Sequence, residues 1–373
     1  MFVAIEHIRE KWKGTMTDRE RFNRQMHSQS VDRCFNMEFG YWDENFTEWS
    51  IFRDNGITNN GEADIFLNFD RIETFSGNHW LSPGFENKLV EETATHKIYI
   101  NGDGLFAEVP KDGHSTIPHY IKPTVATPDD WAKVKEERMR IDDEKRIVDI
   151  EKLKKRYPAD RDYPLGINCG SMVGKIRDML TFEGICYAIY DYPEMLEDMV
   201  ETSCRLVENV LDQVLPVIDF DYAAGWEDIC FNHGPIVSLP FFRDVVCPRY
   251  KRISDKLHAH GIDIYYTDCD GDVRPLLPYF LESGINCLFP YEVNSCAHPG
   301  ELLDKYPELR IMGGIDKMAL GNGRDAIKAY LKSVRRYVEQ GRYIPFVDHR
   351  CPPNVKEEDY LYYLDLKEDM FGM

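Results

Sequence analysis

The chain has 373 residues, 43% of them hydrophobic, and a formal charge of −20 from 45 Lys plus Arg against 65 Asp plus Glu. Its basic residues form no stripe able to neutralise a run of phosphates, which argues against nucleic acid as a partner. No apolar run approaches the roughly 20 residues that cross a bilayer. Met1-Phe2-Val3-Ala4-Ile5-Glu6-His7 lacks the basic start and apolar centre of a secretory leader, so a cytoplasmic protein with no membrane partner is expected. The ten cysteines are scattered without a CxxC pair, and several fall inside apolar runs, the pattern of reduced and mostly buried thiols.

Residues 1–150 are rich in Trp, Asn and Gly and show little sustained helical period. One hairpin stands out: His96-Lys97-Ile98-Tyr99-Ile100 and Leu105-Phe106-Ala107-Glu108-Val109 flank Asn101-Gly102-Asp103-Gly104, a turn sequence suited to positive φ. The charged stretch 129–156 reads as a solvated helix. Beyond it, strand and helix patterns alternate. Asp191-Tyr192-Pro193-Glu194 opens a long helix whose buried face is built by Leu196, Met199, Val200, Val207, Val210, Leu211 and Val214. Further helices are expected over 240–259, 273–283 (stopped by Gly284), 299–305, 324–340 (stopped by Gly341) and 356–369. Such alternation calls for a parallel sheet. The length suits one compact α/β domain, with 1–150 as an N-terminal extension and 151–373 as the main part of a (β/α) barrel.

Polar side chains recur where apolar runs end. Pro164-Leu165-Gly166-Ile167 leads to Asn168, and Val217-Ile218 to Asp219, Asp221, Glu227 and Asp228. Ile262-Asp263-Ile264-Tyr265-Tyr266 leads to Asp268 and Asp270, and Cys287-Leu288-Phe289 to Glu292. Ile311-Met312 leads to Asp316, and Ile344-Pro345-Phe346-Val347 to Asp348 and His349. In a barrel, all strand C-terminal ends meet at one mouth, so these residues predict an enzyme pocket. The competing reading is that they cap helices or pin strand ends, and Asp191 and Asp272 are assigned to caps on that ground. Gly313-Gly314 and Gly321-Asn322-Gly323 match neither a dinucleotide fingerprint nor a P-loop, and no G-x-S-x-G elbow occurs.

The order of these elements resembles the uroporphyrinogen decarboxylase superfamily, which includes cobalamin-dependent methyltransferases. The resemblance rests on Asp191-Tyr192-Pro193-Glu194, on Trp226-Glu227-Asp228 before Pro235-Ile236-Val237-Ser238, and on Asp268-Cys269-Asp270-Gly271. It continues through Pro290-Tyr291-Glu292, Gly313-Gly314-Ile315-Asp316-Lys317 and Pro345-Phe346-Val347-Asp348-His349. It covers residues 160–370 well and the first 150 loosely. The resemblance implies a (β/α)8 TIM-type barrel with its active site at the mouth.

Thiol-methylating members of that family hold zinc with an H-x-C pair and a later Cys. Set against that pattern, the three positions fall on Asp268, Asp270 and His349, where hard oxygen ligands replace soft sulfur. Two carboxylates and an imidazole can either hold a metal, zinc among the options, or deliver a proton to a departing oxygen. The resemblance therefore implies a corrinoid-dependent methyltransferase that takes a methyl group from a small donor, an O-methyl aromatic ether in the first instance. The acceptor is cob(I)alamin on a separate corrinoid protein, because no D-x-H-x-x-G attachment pattern occurs here. Asn168, Trp226, Glu227, Tyr291, Glu292 and Asp316 are the expected substrate contacts; Glu227, Glu292, Cys269 and Cys351 are the secondary metal candidates. Two alternatives are a decarboxylase of polycarboxylate tetrapyrroles, for which the arginine-rich R-Q-A-G-R motif is missing, and a non-catalytic barrel that binds a ligand or a corrinoid protein.

Overall fold

The computed structural model describes residues 5–111 and 119–372, so Met1-Phe2-Val3-Ala4 of the stretch read against a leader lies outside the described residues. The chain forms two compact units. One comprises Met1–Glu73, Arg161–Leu165 and Asn286–Met373, the other Thr74–Asp160 and Gly166–Ile285. Both are α/β with parallel strands. Among the described residues, no helix is long and apolar enough to cross a membrane.

In the second unit, strands Leu165–Asn168, Tyr222–Trp226 and Tyr265–Asp268 lie side by side and parallel, with Ile167 opposite Ala223 and Asp268 opposite Trp226. All but their last residues are largely buried, as expected of parallel strands covered on both faces. The second strand begins later than the Val217-Ile218 run suggests. Those two residues lie in the turn after the Pro193–Val214 helix, and Asp219 and Asp221 precede the strand rather than follow it. A short apolar run at a helix end looks like a strand to a periodicity argument. The Pro193–Val214 helix buries Leu196, Met199, Val200, Val207, Val210, Leu211 and Val214, the face that the spacing predicts.

Asp191 does not cap that helix. It is the last residue of a preceding helix, Gly174–Asp191, which the sequence analysis did not anticipate; residue Thr181, at φ 65°, kinks it and breaks its period. Asp272 likewise sits five residues before the Leu277–Glu282 helix, and its carboxylate instead accepts from the Arg274 backbone and guanidinium. The expected 129–156 helix is two helices, Pro128–Arg138 and Ile150–Arg156, with a 3-10 turn at Glu144–Arg146 between them. The 240–259 helix contains a π turn, Phe242–Val246, ahead of Cys247–Ala259. The predicted hairpin is present as His96–Ile100 and Phe106–Pro110, with Tyr99 opposite Ala107, and it is the centre of a four-stranded antiparallel sheet with Lys88–Glu92 and His119–Lys122.

In the first unit, strands Cys287–Tyr291, Arg310–Ile315 and Tyr343–Val347 are parallel and alternate with helices Pro299–Lys305, Arg324–Gln340 and Glu357–Phe371. Gly341, at φ 80°, ends the second of these as expected. The N-terminal segment packs here through buried charge. Arg33 holds Asp70 with two hydrogen bonds of 2.6 and 2.7 Å, and Glu38 accepts from Tyr363 (2.8 Å) and Lys367 (2.6 Å). Each of these buried ions has partners, without which burial is costly. All ten cysteines are free, and seven are buried.

Candidate functional site

At the C-terminal ends of Leu165–Asn168 and Tyr222–Trp226, the second unit encloses a cavity of about 430 Å³, within the range that takes one small ligand. The strand ends contribute Asn168 and Trp226, the following turn Gly170 and Ser171, and the first turn of the Gly174–Asp191 helix contributes Lys175. Ser203 and Val207 come from one face of the Pro193–Val214 helix, and His79 and Trp80 from the irregular chain before the antiparallel sheet. Two of the residues expected to bind substrate, Asn168 and Trp226, thus share one pocket. His79, Trp80, Lys175 and Ser203 line the same pocket and are not among the candidates predicted from sequence.

The pocket is held open by specific bonds. Asp103, in the predicted hairpin turn, accepts from the Trp80 indole N–H and from Lys175 Nζ, each at 3.0 Å. The Lys175 ammonium and the Arg177 guanidinium lie 5.6 and 5.3 Å from the centre of the Trp226 ring, distances at which a cation is drawn to an indole face. Asn168 donates to Ser76 (3.0 Å) and accepts from the Gly170 N–H (2.7 Å). A Cβ on Gly170, whose φ is +67°, would stand 3.1 Å from His79 Nδ1, so the imidazole rests on bare backbone. Arg146, from the charged stretch read as a solvated face, is buried and gathers the carbonyls of Asn78, Trp80, Arg138 and Arg140 at 2.7–3.0 Å. It fixes the segment that carries His79 and Trp80.

Glu227 has a different role from the one expected. Its carboxylate is fully buried and accepts from the backbone N–H groups of Met172 (2.6 Å), Val173 (2.9 Å) and Gly174 (2.7 Å), from Ser171 Oγ (3.2 Å) and from the Tyr250 hydroxyl. Those N–H groups open a helix whose N-cap residue, Val173, has no side-chain acceptor. Glu227 supplies one from the neighbouring strand end. With five donors on two oxygens it has nothing left for a ligand, and it is a positioning residue. Burial pushes its carboxyl up to about 7 against the pull of those donors. Gly174 must be glycine, since a Cβ there would lie 2.0 Å from the Glu227 carbonyl oxygen.

Asp268 ends its strand directly beside Trp226, and its carbonyl accepts from Glu227 N–H at 2.8 Å. Asp270 is two residues on and half-buried. Between them, Cys269 is buried against Cys230, whose contact together with burial drives its thiol pKa well upward. Asp228, at φ 50°, pairs with Arg177.

The remaining candidates belong to the first unit. The His349 ring lies tilted against those of Phe39 and Trp42, with ring centres 5.2 and 6.4 Å away. Asp348, fully buried, accepts from Val293 N–H (3.1 Å) and Lys317 N–H (3.0 Å), while its own N–H donates to the Ile315 carbonyl (2.8 Å). It thereby ties together the ends of all three strands, and burial raises its carboxyl to about 7. Glu292 is ion-paired with Lys317. Tyr291 is buried and donates to the Ala297 carbonyl at 2.9 Å. Asp316 caps the Lys317–Gly321 helix and accepts from Asn294. Cys351 is buried where its backbone pairs with Tyr41. Tyr291 and Asp316 thus have internal work, and the capping and pinning explanation describes them. Among the described residues of either unit, no three His, Cys, Asp or Glu side chains come together as a group able to hold a metal ion.

Comparison with known proteins places this architecture. A solved structure of a methyltransferase from Methanosarcina mazei superposes with a TM-score of 0.56, covering 95% of this chain and 99% of that one at 13% identity, and shows a shared fold. No curated protein matches the sequence. The sequence model of uroporphyrinogen decarboxylase (URO-D) matches residues 108–368, more than half of the chain, and this protein belongs to that family.

Proposed function

We propose that this protein is a methyltransferase that removes the methyl group from a small O-methylated aromatic donor and passes it to a corrinoid carried by a separate protein. The observation that carries the reading is the cavity walled by Trp80 and Trp226 beside Asp268, at the C-terminal ends of parallel strands, where enzymes of β/α architecture place their chemistry. The family membership and the fold likeness to a methyltransferase support it. A (β/α)8 barrel is the architecture expected on this reading.

Two indoles offer flat apolar faces to one aromatic ring. Cob(I)alamin, brought by the partner, supplies the nucleophile. As the carbon–oxygen bond breaks, its electron pair stays on oxygen and the methyl carbon leaves without it. The oxygen then needs a proton, and Asp270, two residues beyond Asp268, whose strand pairs with that of pocket-lining Trp226, is assigned to deliver it. The tetrapyrrole alternative fits less well: among the described residues, Lys175 is the one permanent cation lining the cavity, and it already faces Asp103, whereas a polycarboxylate needs several.

The test is a donor screen with a reduced corrinoid protein. Loss of the cob(I)alamin absorption with methoxyarenes, and release of the matching phenol, is the expected result. A flat trace with every ether and amine tried would favour a binding protein without this activity.

A further inference from the structure

Two buried polar atoms lining the aromatic pocket have no hydrogen-bond partner among the described residues: Nε2 of His79 and Oγ of Ser203. Ser203 is only 2% exposed. Buried polar atoms are nearly always paired, and leaving one unpaired costs the desolvation of that group. Their convergence on one cavity marks places where a ligand supplies the missing bonds.

The chemistry of the two atoms limits what that ligand is. A neutral imidazole carries its proton on one ring nitrogen and a lone pair on the other. Burial holds the imidazole below its ordinary pKa, in the neutral form. Nε2 then either donates or accepts and the Ser203 hydroxyl does both, so a ligand hydroxyl, itself donor and acceptor, suits either tautomer. The charge of Lys175 is matched by Asp103 at 3.0 Å, so the pocket does not demand an anion.

Resting on the methyl-transfer reading, we infer that the donor is a methoxyarene bearing a free hydroxyl group, which pairs with His79 Nε2 and Ser203 Oγ, with its ring between Trp80 and Trp226.

Binding is measured on the full chain without any corrinoid protein, by titration calorimetry and by quenching of tryptophan fluorescence. The probes are 2-, 3- and 4-methoxyphenol, with methoxybenzene as the hydroxyl-free control. The best methoxyphenol is expected to bind at least tenfold more tightly than methoxybenzene. His79→Leu should erase that preference to within about twofold, Ser203→Ala should reduce it, and His79→Gln, which keeps a polar terminus, should restore part of it. Equal binding of the phenols and methoxybenzene to the unaltered protein would overturn the inference whether or not the variants fold. Hydroxyl-selective binding without methyl transfer would leave the pocket assignment standing and remove the reaction; methyl transfer from methoxybenzene as readily as from the phenols would do the opposite.

Discussion

Trp80 and Lys175, 95 positions apart, are anchored by the same carboxylate: Asp103 accepts from the indole N–H and from the ammonium at 3.0 Å each. A wall and the cation of the candidate pocket are thus set by the tip of a hairpin whose turn sequence is readable in the chain.

Asp103→Ala should release both groups. The dissociation constant for the best methoxyphenol is expected to rise about tenfold, with little change in the urea midpoint, because the ion pair is about one-third exposed and such pairs contribute little to stability. A large stability loss with unchanged binding would assign Asp103 to the fold instead.

Arg146 tests whether the pocket segment is held from below. Arg146→Met leaves the carbonyls of Asn78, Trp80, Arg138 and Arg140 without their donor, and about 3 kcal/mol of stability should be lost. Hydrogen exchange over residues 76–83 should quicken selectively. Uniform exchange across the unit would contradict the assignment.

Glu227→Gln places an amide N–H₂ against backbone N–H groups that need an acceptor. A loss of about 3 kcal/mol in urea unfolding is expected, against about 1 kcal/mol for Tyr250→Phe, which removes one donor and keeps the carboxylate. Methyl-donor affinity in any folded fraction should stay within a few-fold, since Glu227 does not line the pocket.

Asp348 sets a pH dependence. Burial raises its carboxyl from an ordinary value near 3.8 to about 7. The folded state therefore prefers the protonated form: the contribution is complete below about pH 4 and is lost as pH rises through 7. Between pH 4.5 and 8 the urea midpoint of the unaltered protein should fall more steeply than that of Asp348→Asn, a difference of roughly 3 kcal/mol in stability. Parallel curves would show that this carboxyl does not titrate in that window.

Asp270→Asn tests the proposed acid. Turnover with a methoxyphenol should drop by about 10²-fold, the range seen when a proton donor or electrostatic group is removed, while binding of the donor is retained. Unaltered turnover would take the proton-delivery role away from Asp270.

Much of this architecture is legible in the chain because period and punctuation are local. The apolar spacing in Pro193–Val214 names its buried face, Gly341 marks a helix end, and Asn101-Gly102 marks a hairpin turn. Asn168 is found as a site candidate because it ends an apolar strand, and Trp226 because it stands in the Trp226-Glu227-Asp228 motif of the family resemblance. His79 and Trp80 escape that logic. They lie in a stretch with no repeating pattern, and their place is set by Arg146, Asp103 and bare backbone at Gly170. Whether a carboxylate at a strand end meets a ligand or pins a helix is equally hidden: Glu227 reads like a substrate or metal contact and Asp348 like a mouth residue until their donors are counted.

The sequence by itself determined the α/β alternation, the polar strand ends and the kinship that follows from their order, because these depend on which residues stand a few positions apart. Only the tertiary structure decided which polar atoms are spent on the chain's own backbone and which are left with an unfilled bond. That distinction depends on residues such as Ser203, Lys175 and His79, far apart in the chain and brought to one cavity by packing.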